Sequence, residues 1–230
     1  MTVGRFLLFL LFAASLGLAA IARGWVDVPP RFNPWAPLDL RDTPNLLTPF
    51  KLHRAQQEPA LCQAALATSD LRFAAVADSL PEPDCPIENS VRIRGGEVAF
   101  SASFLATCRL AAAYALFEHH GLQPAAQAVY GQPVARIEHF GSFACRNIGS
   151  GSRRSQHASA NALDIAGFRL EDGTRITVAR DWSGSEREQR FLREVRKAAC
   201  RFFNTTLGPD YNAAHHDHFH LDMGRARICR

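Results

Sequence analysis

No two of the six cysteines, Cys62, Cys85, Cys108, Cys145, Cys200 and Cys229, are spaced as C-x-x-C. Their spacing argues against a cysteine zinc site and against a thioredoxin-like redox motif. Basic tracts with interleaved aromatics are missing too, which argues against nucleic acid as a partner. The chain has no internal repeats, and no cysteine near the end of its N-terminal apolar run that could carry a lipid. Ser155 and His157 lack the flanking glycines that build a strained nucleophile elbow, so a serine nucleophile there is weakly supported. A thiol-protease role for Cys145 is disfavoured, because an even set of cysteines reads more simply as disulfides.

What is present suits an ordinary folded domain: 230 residues, 47% hydrophobic and 21% charged. Arg5 precedes an uncharged, largely apolar stretch, Phe6 to Ala22, which Arg23 follows. Residues 1–22 therefore read as a secretory signal peptide or as an uncleaved membrane anchor, since roughly 17 to 25 residues can span a bilayer. Both readings put the remainder outside the cytoplasm, in the periplasm, either secreted or held at the inner membrane. The cysteines then form three disulfides in an oxidising compartment. Spacing does not choose their pairing, and Cys145 with Cys200 is the bridge expected in the second half. The net charge of +4 is read as arginines scattered over a solvated surface, mildly favouring anionic cell-wall polymers.

Residues 23–50 are rich in proline (Pro29, Pro30, Pro34, Pro37, Pro44, Pro49) and show no helical period. They read as an extended linker or a surface strap, with Trp25 and Trp35 as its anchors. A single domain is expected over 51–230. Helices are expected at Glu58–Ala67, Leu105–His119 (ended by Gly121), Ala125–Val129 and Glu186–Phe203. Ser185 should cap the last of these, in a capping box with Glu188. Strands are expected at Phe73–Val76, Val91–Ile93, Val134–Phe140, Ser142–Arg146 and Asp217–Asp222. Ala162–Leu170 and Arg175–Ala179 read as a hairpin around Glu171-Asp172-Gly173. Without regular βαβ alternation, the class is α+β: a small antiparallel sheet with flanking helices.

The richest segment is H-H-D-H-F-H-L-D. Four of the nine histidines fall in residues 215–220. Residues two apart on a strand point to one side, so His218 and His220 face a common site. Upstream, Ser155-Gln156-His157 and Asn161-Ala162-Leu163-Asp164-Ile165 offer an imidazole and a carboxylate. Two imidazoles and one carboxylate form a usual catalytic zinc set. The ligands assigned are His157, Asp164 and His220. His218 stands beside them as general base or electrostatic partner, and His215 at the rim. His216 and Asp217 point away or orient a ligating ring.

These segments resemble the bacterial extensin-like C-terminal family. Also supporting that likeness are Pro34-Trp35-Ala36-Pro37-Leu38, Gly141-Ser142-Phe143-Ala144-Cys145-Arg146 and Ala198-Ala199-Cys200-Arg201-Phe202-Phe203. Despite that family's name, the chain has no plant-like Ser-Pro repeats. The family in turn looks like a branch of the LAS zinc peptidases, which include D-Ala-D-Ala carboxypeptidases and murein endopeptidases. The resemblance implies an LAS-type fold and zinc as cofactor, with His157, Asp164 and His220 as its ligands. It also implies His218 and His215 as catalytic residues, with Arg146 and Ser155 contacting substrate. Ala160 stands where that group often has glycine. The implied activity is amide hydrolysis in peptidoglycan stem peptides or cross-links, of DD- or LD-endopeptidase or carboxypeptidase type. A non-catalytic zinc domain that binds cell-wall peptide or a partner is the alternative.

Overall fold

A computed structural model describes residues 3–230, so the first two residues of the 1–22 segment lie outside the described residues. Helix α1 (Val3–Ala22) buries none of its residues against the domain and is long and apolar enough to cross a bilayer. A signal sequence would have the same properties.

Residues after it run over the surface. Their anchors are not the tryptophans: Trp25 is 73% exposed and Trp35 41%, whereas Leu38 and Leu40 are buried. The strap is tied instead by cations of α2 (Thr48–Gln57), a helix the proline count concealed. Lys51 Nζ donates to the Pro30 carbonyl at 2.7 Å, and Arg54 donates to those of Pro34 and Trp35. Pro49 sits in the first turn of α2, where a missing N–H costs nothing. Helix α3 (Pro59–Leu66) follows directly.

Next come β1 (Arg72–Val76), the hairpin β2 (Ser79–Glu82) and β3 (Cys85–Ile87), β4 (Ser90–Gly95), β5 (Ala99–Phe100) and β6 (Phe104–Thr107). Strands β1, β4 and β6 make a small antiparallel sheet. The helix expected from Leu105 begins later, as α4 (Cys108–Phe117). Thr107 caps it by accepting from Leu110 N, and the three preceding residues pair with β4. Nor does the helix stop at Gly121. A π-helical turn, Glu118–Leu122, carries it into α5 (Gln123–Tyr130), which ends at Gly131 in the left-handed region. Gly121 is where a later helix, Glu186–Phe202, crosses: a Cβ there would lie 3.0 Å from that of Ala198.

The larger sheet contains β7 (Val134–Gly141), β8 (Ala162–Leu170), β9 (Arg175–Thr177), β10 (Thr205–Leu207), β11 (Phe219–Asp222) and β12 (Ile228–Cys229). Its order is β12-β10-β11-β8-β7-β5, with β9 also on β8. Pairing is antiparallel except for β10 with β12 and β5 with β7. Residues 142–146 are not a strand; beyond Gly141 the chain leaves β7, meets the His157 turn through Ala144 N and the Arg146 carbonyl, and bridges Asn147 to Arg154. After β9 the chain turns into α6 (Val178–Asp181) rather than extending the hairpin, because Asp181 accepts from Thr177 N at 2.6 Å. Helix α7 (Glu186–Phe202) has the expected Ser185–Glu188 capping box.

Alternation along the strands separates two faces. Leu163, Ile165, Phe168, Phe219 and Leu221 are buried in the core with Leu110, Phe117, Phe191 and Val195 of the helices. The opposite face stays open. The molecule is thus α+β, with small, largely antiparallel sheets and flanking helices.

The disulfides are Cys62–Cys108, Cys85–Cys145 and Cys200–Cys229. The expected Cys145–Cys200 bridge is therefore wrong. Cys200 lies on α7, where β12 returns beside β10 and delivers Cys229; Cys145 lies on the far loop, beside β3. With Cys145 bridged, a thiol nucleophile there is ruled out.

In the π turn, burial pushes the Glu118 carboxyl up to about 7, partly opposed by a hydrogen bond from Tyr114. The native state therefore holds this proton more tightly than the unfolded chain. Stability from it is complete below about pH 4.5 and is lost as pH rises to about 7. Glu118→Gln should remove that dependence. Thermal melts should show the variant gaining on the wild type by up to about 3 kcal/mol between pH 4.5 and 8.

Candidate metal centre

The site lies on the open face of the larger sheet. Asp164 on β8 and His220 on β11 are direct cross-strand partners, so their side chains rise together. His157 comes from the short 3-10 turn, Gln156–Ser159, that leads into β8. Ser155 caps this turn, its hydroxyl accepting from His157 N at 3.3 Å. Ala160 closes it at φ 51°, in the left-handed region that glycine enters at least cost. Asn161 then fastens the turn: it accepts from the Thr107 hydroxyl and donates to Gln156 Oε1.

Donor atoms of three residues converge, the two rings meeting different oxygens of one carboxylate. His157 Nε2 lies 3.1 Å from Asp164 Oδ2, and His220 Nδ1 lies 3.0 Å from Asp164 Oδ1. The two ring nitrogens are 3.2 Å apart. Tetrahedral bonds of about 2.0–2.1 Å would hold such donors about 3.3 Å from one another, so the triangle fits a divalent ion of zinc's size. Both rings are fixed from behind. His157 Nδ1 donates to the Ser142 carbonyl at 3.1 Å, and His220 Nε2 to Asp222 Oδ2 at 3.0 Å. Each ring, when neutral, thus presents its unprotonated nitrogen toward the carboxylate, the outer support usual for ligating imidazoles.

Asp222 escaped the sequence reading. The signal lies in the strand period, since 220 and 222 share one face of β11, although that strand begins at Phe219 rather than at the expected Asp217 and His218 just precedes it. Asp222 is buried and also accepts from Gly224 N, so its orientation is set by backbone.

His218 lies outside the triangle. Its Nε2 is 3.6 Å from Asp164 Oδ1 while its Nδ1 donates to Asp217 at 2.8 Å. Asp217 therefore orients His218 rather than a ligating ring, and His216 is exposed with its Nδ1 turned to the Ala213 carbonyl. His215, on the turn Ala213–His215, stacks within 5.2 Å of His218 and donates Nδ1 to Asn212. Arg146 is exposed on the loop after β7, near enough that its charge adds to those depressing His215. Ser155 is buried against its own turn.

The electrostatics follow from crowding. Burial alone would raise the Asp164 carboxyl, but hydrogen bonds with His157 and His220 outweigh it and hold it well below the usual range. Burial likewise opposes charge on His220, yet Asp164 and Asp222 raise it to about 9. His215 is pushed down to about 4 by burial and by His218 and His220.

In the metal-free protein, nitrogen-detected NMR should therefore find His220 protonated and His215 neutral at pH 7. The His220 contribution to stability is full below about pH 6.5 and is lost as pH rises through about 9. Asp222→Asn should lower the His220 midpoint by about one unit or more. An unchanged midpoint would remove Asp222 from this role.

A family model described as extensin-like protein C-terminus matches residues 60–230. No curated protein and no solved structure matches the chain. From the first turn of α3 to its last residue, then, the chain belongs to the extensin-like protein C-terminus family.

Proposed function

We propose that this is a periplasmic, zinc-dependent peptidase that hydrolyses amide bonds in peptidoglycan stem peptides or cross-links. The observation that carries the reading is the convergence of His157 Nε2, an Asp164 oxygen and His220 Nδ1, each ring tied from behind. The apolar N-terminal helix and three disulfides suit a position outside the cytoplasm. Resemblance to LAS peptidases supplies the substrate class.

Zinc held by these three residues would polarise a scissile carbonyl and lower the pKa of a coordinated water toward about 7. The chain's own groups supply the rest. Asp217, held below the usual carboxylate range by its bond from His218, fixes that ring with Nδ1 as donor. His218 Nε2 is thereby left as the acceptor, able to take a proton from water and pass it to the leaving amine. His215 stays neutral, so it adds no charge to the approach, and with Nδ1 donating to Asn212 its Nε2 is left to accept. Arg146, exposed at the rim, can hold a substrate carboxylate or developing negative charge by a two-pronged pair.

Zinc-loaded protein should release peptides from cross-linked muropeptides, read by mass spectrometry, and chelator or His157→Ala should abolish this. His218→Ala should keep the metal yet lower kcat by about 10²–10⁴. Asp222→Ala should weaken zinc about 10–100-fold in a competition titration. Turnover by His157→Ala at the wild-type rate would refute the ligand set. Stoichiometric zinc with no cleavage of any muropeptide would favour a binding domain instead.

A further inference from the structure

Beside the candidate metal centre, the open sheet face continues as a groove of about 760 Å³. Its near end is Phe140 and Asp217, both of which touch His218. Its floor includes Ala166, two residues along β8 from Asp164. The groove is of a size that holds a peptide segment or small ligand.

Its charge is unusual for a sheet surface. Arg136 on β7 lies directly opposite Arg169 on β8, and Arg169 lies directly opposite Arg175 on β9. Three guanidinium groups thus stand in one row across three strands, and Arg180 of α6 joins them at the rim. Like charges paired across strands cost stability. Relief within the protein is partial. Glu138 takes Arg175 through two short bonds and reaches Arg169 at 3.6 Å. Arg180 leans on its neighbour Asp181, and Asp217 is committed to His218. Among the described residues, Arg136 has no carboxylate within ion-pair distance. A row that repels itself, opens to solvent and adjoins a catalytic-type cluster is an arrangement that a bound anion would complete.

We propose that this arginine row is an anion-binding subsite for a carboxylate-bearing peptide whose reacting bond lies at the metal centre. It deepens the peptidase reading and rests on it for the direction of the bound chain. Guanidinium forks pair carboxylates in two parallel hydrogen bonds, which fixes register as well as charge. The subsite thereby selects for acidic residues on one side of the bond to be cleaved.

Binding can be measured apart from metal and hydrolysis. The full chain, in non-ionic detergent and treated with chelator, is titrated with a fluorescein-labelled pentapeptide. That peptide carries free carboxylates at an internal glutamate and at its C-terminus; its bis-amide serves as control. The dicarboxylate should bind about tenfold tighter by anisotropy, and moderate salt should erode the difference. Arg136→Gln with Arg180→Gln should abolish the discrimination. The single variant Arg136→Gln should also melt about 2 °C higher than the wild type, because the row is relieved. Equal affinity for acid and amide would overturn the proposal, as would discrimination surviving in the double variant, or a lowered melting point for Arg136→Gln. Inorganic pyrophosphate displacing the dicarboxylate at concentrations far below that peptide's own Kd would assign the row to phosphate and overturn the proposal. Cleavage assays fail or succeed independently of all these outcomes.

Discussion

The pairing of β8 with β11 is the constraint on which the rest of the molecule depends. It sets Asp164 opposite His220, and a slip of one residue by either strand would send its own member of the pair into the core while bringing Leu163 or Leu221 to the surface. The apolar side of these strands is what prevents that slip. Phe219, Leu221, Leu163 and Ile165 are essentially fully buried, so the register that satisfies the core is also the register that assembles the donor triangle. Packing and chemistry are fixed by the same choice.

The third donor is delivered differently. His157 lies on a single turn, and single turns are not stable by themselves. Its position is over-determined by Ser155 at the start, a left-handed Ala160 at the end, Asn161 reaching to Thr107, and the Ser142 carbonyl behind the ring. Each tie uses a different element, so the loop after β7, the end of β6 and the entry to β8 must all be in place. A buried carboxylate between two imidazoles would be costly if any of them moved away.

How much of this could be read from the residues alone depended on the range of the signal. His218 and His220 follow from strand period, and the Ser185 cap from a four-residue pattern. The His157–Asp164–His220 set needed only the expectation that distant strands meet. Failures came where a non-local partner decided the outcome. Pro-rich composition hid α2, because helix-starting prolines look like breakers until Lys51 and Arg54 find the strap carbonyls. Leu105 looked helical because nothing local reveals that it pairs with Arg92 on β4. Cys145 was misassigned for the same reason: its partner sits on a hairpin, β2–β3, too short to announce itself. Asp222 was legible by period and was overlooked beside the histidines.

The Cys85–Cys145 link joins that hairpin to the segment that ends in Arg146. Both the guanidinium at the rim and the turn bearing His157 lean on this segment, whose cross-link closes in an oxidising medium. The same segment is tied to the donor turn itself: Ser155 N donates to the Arg146 carbonyl, Ala144 N to that of His157, and the Ser142 carbonyl stands behind the His157 ring. Opening that one sulfur bridge would therefore loosen the rim and the His157 corner of the triangle together.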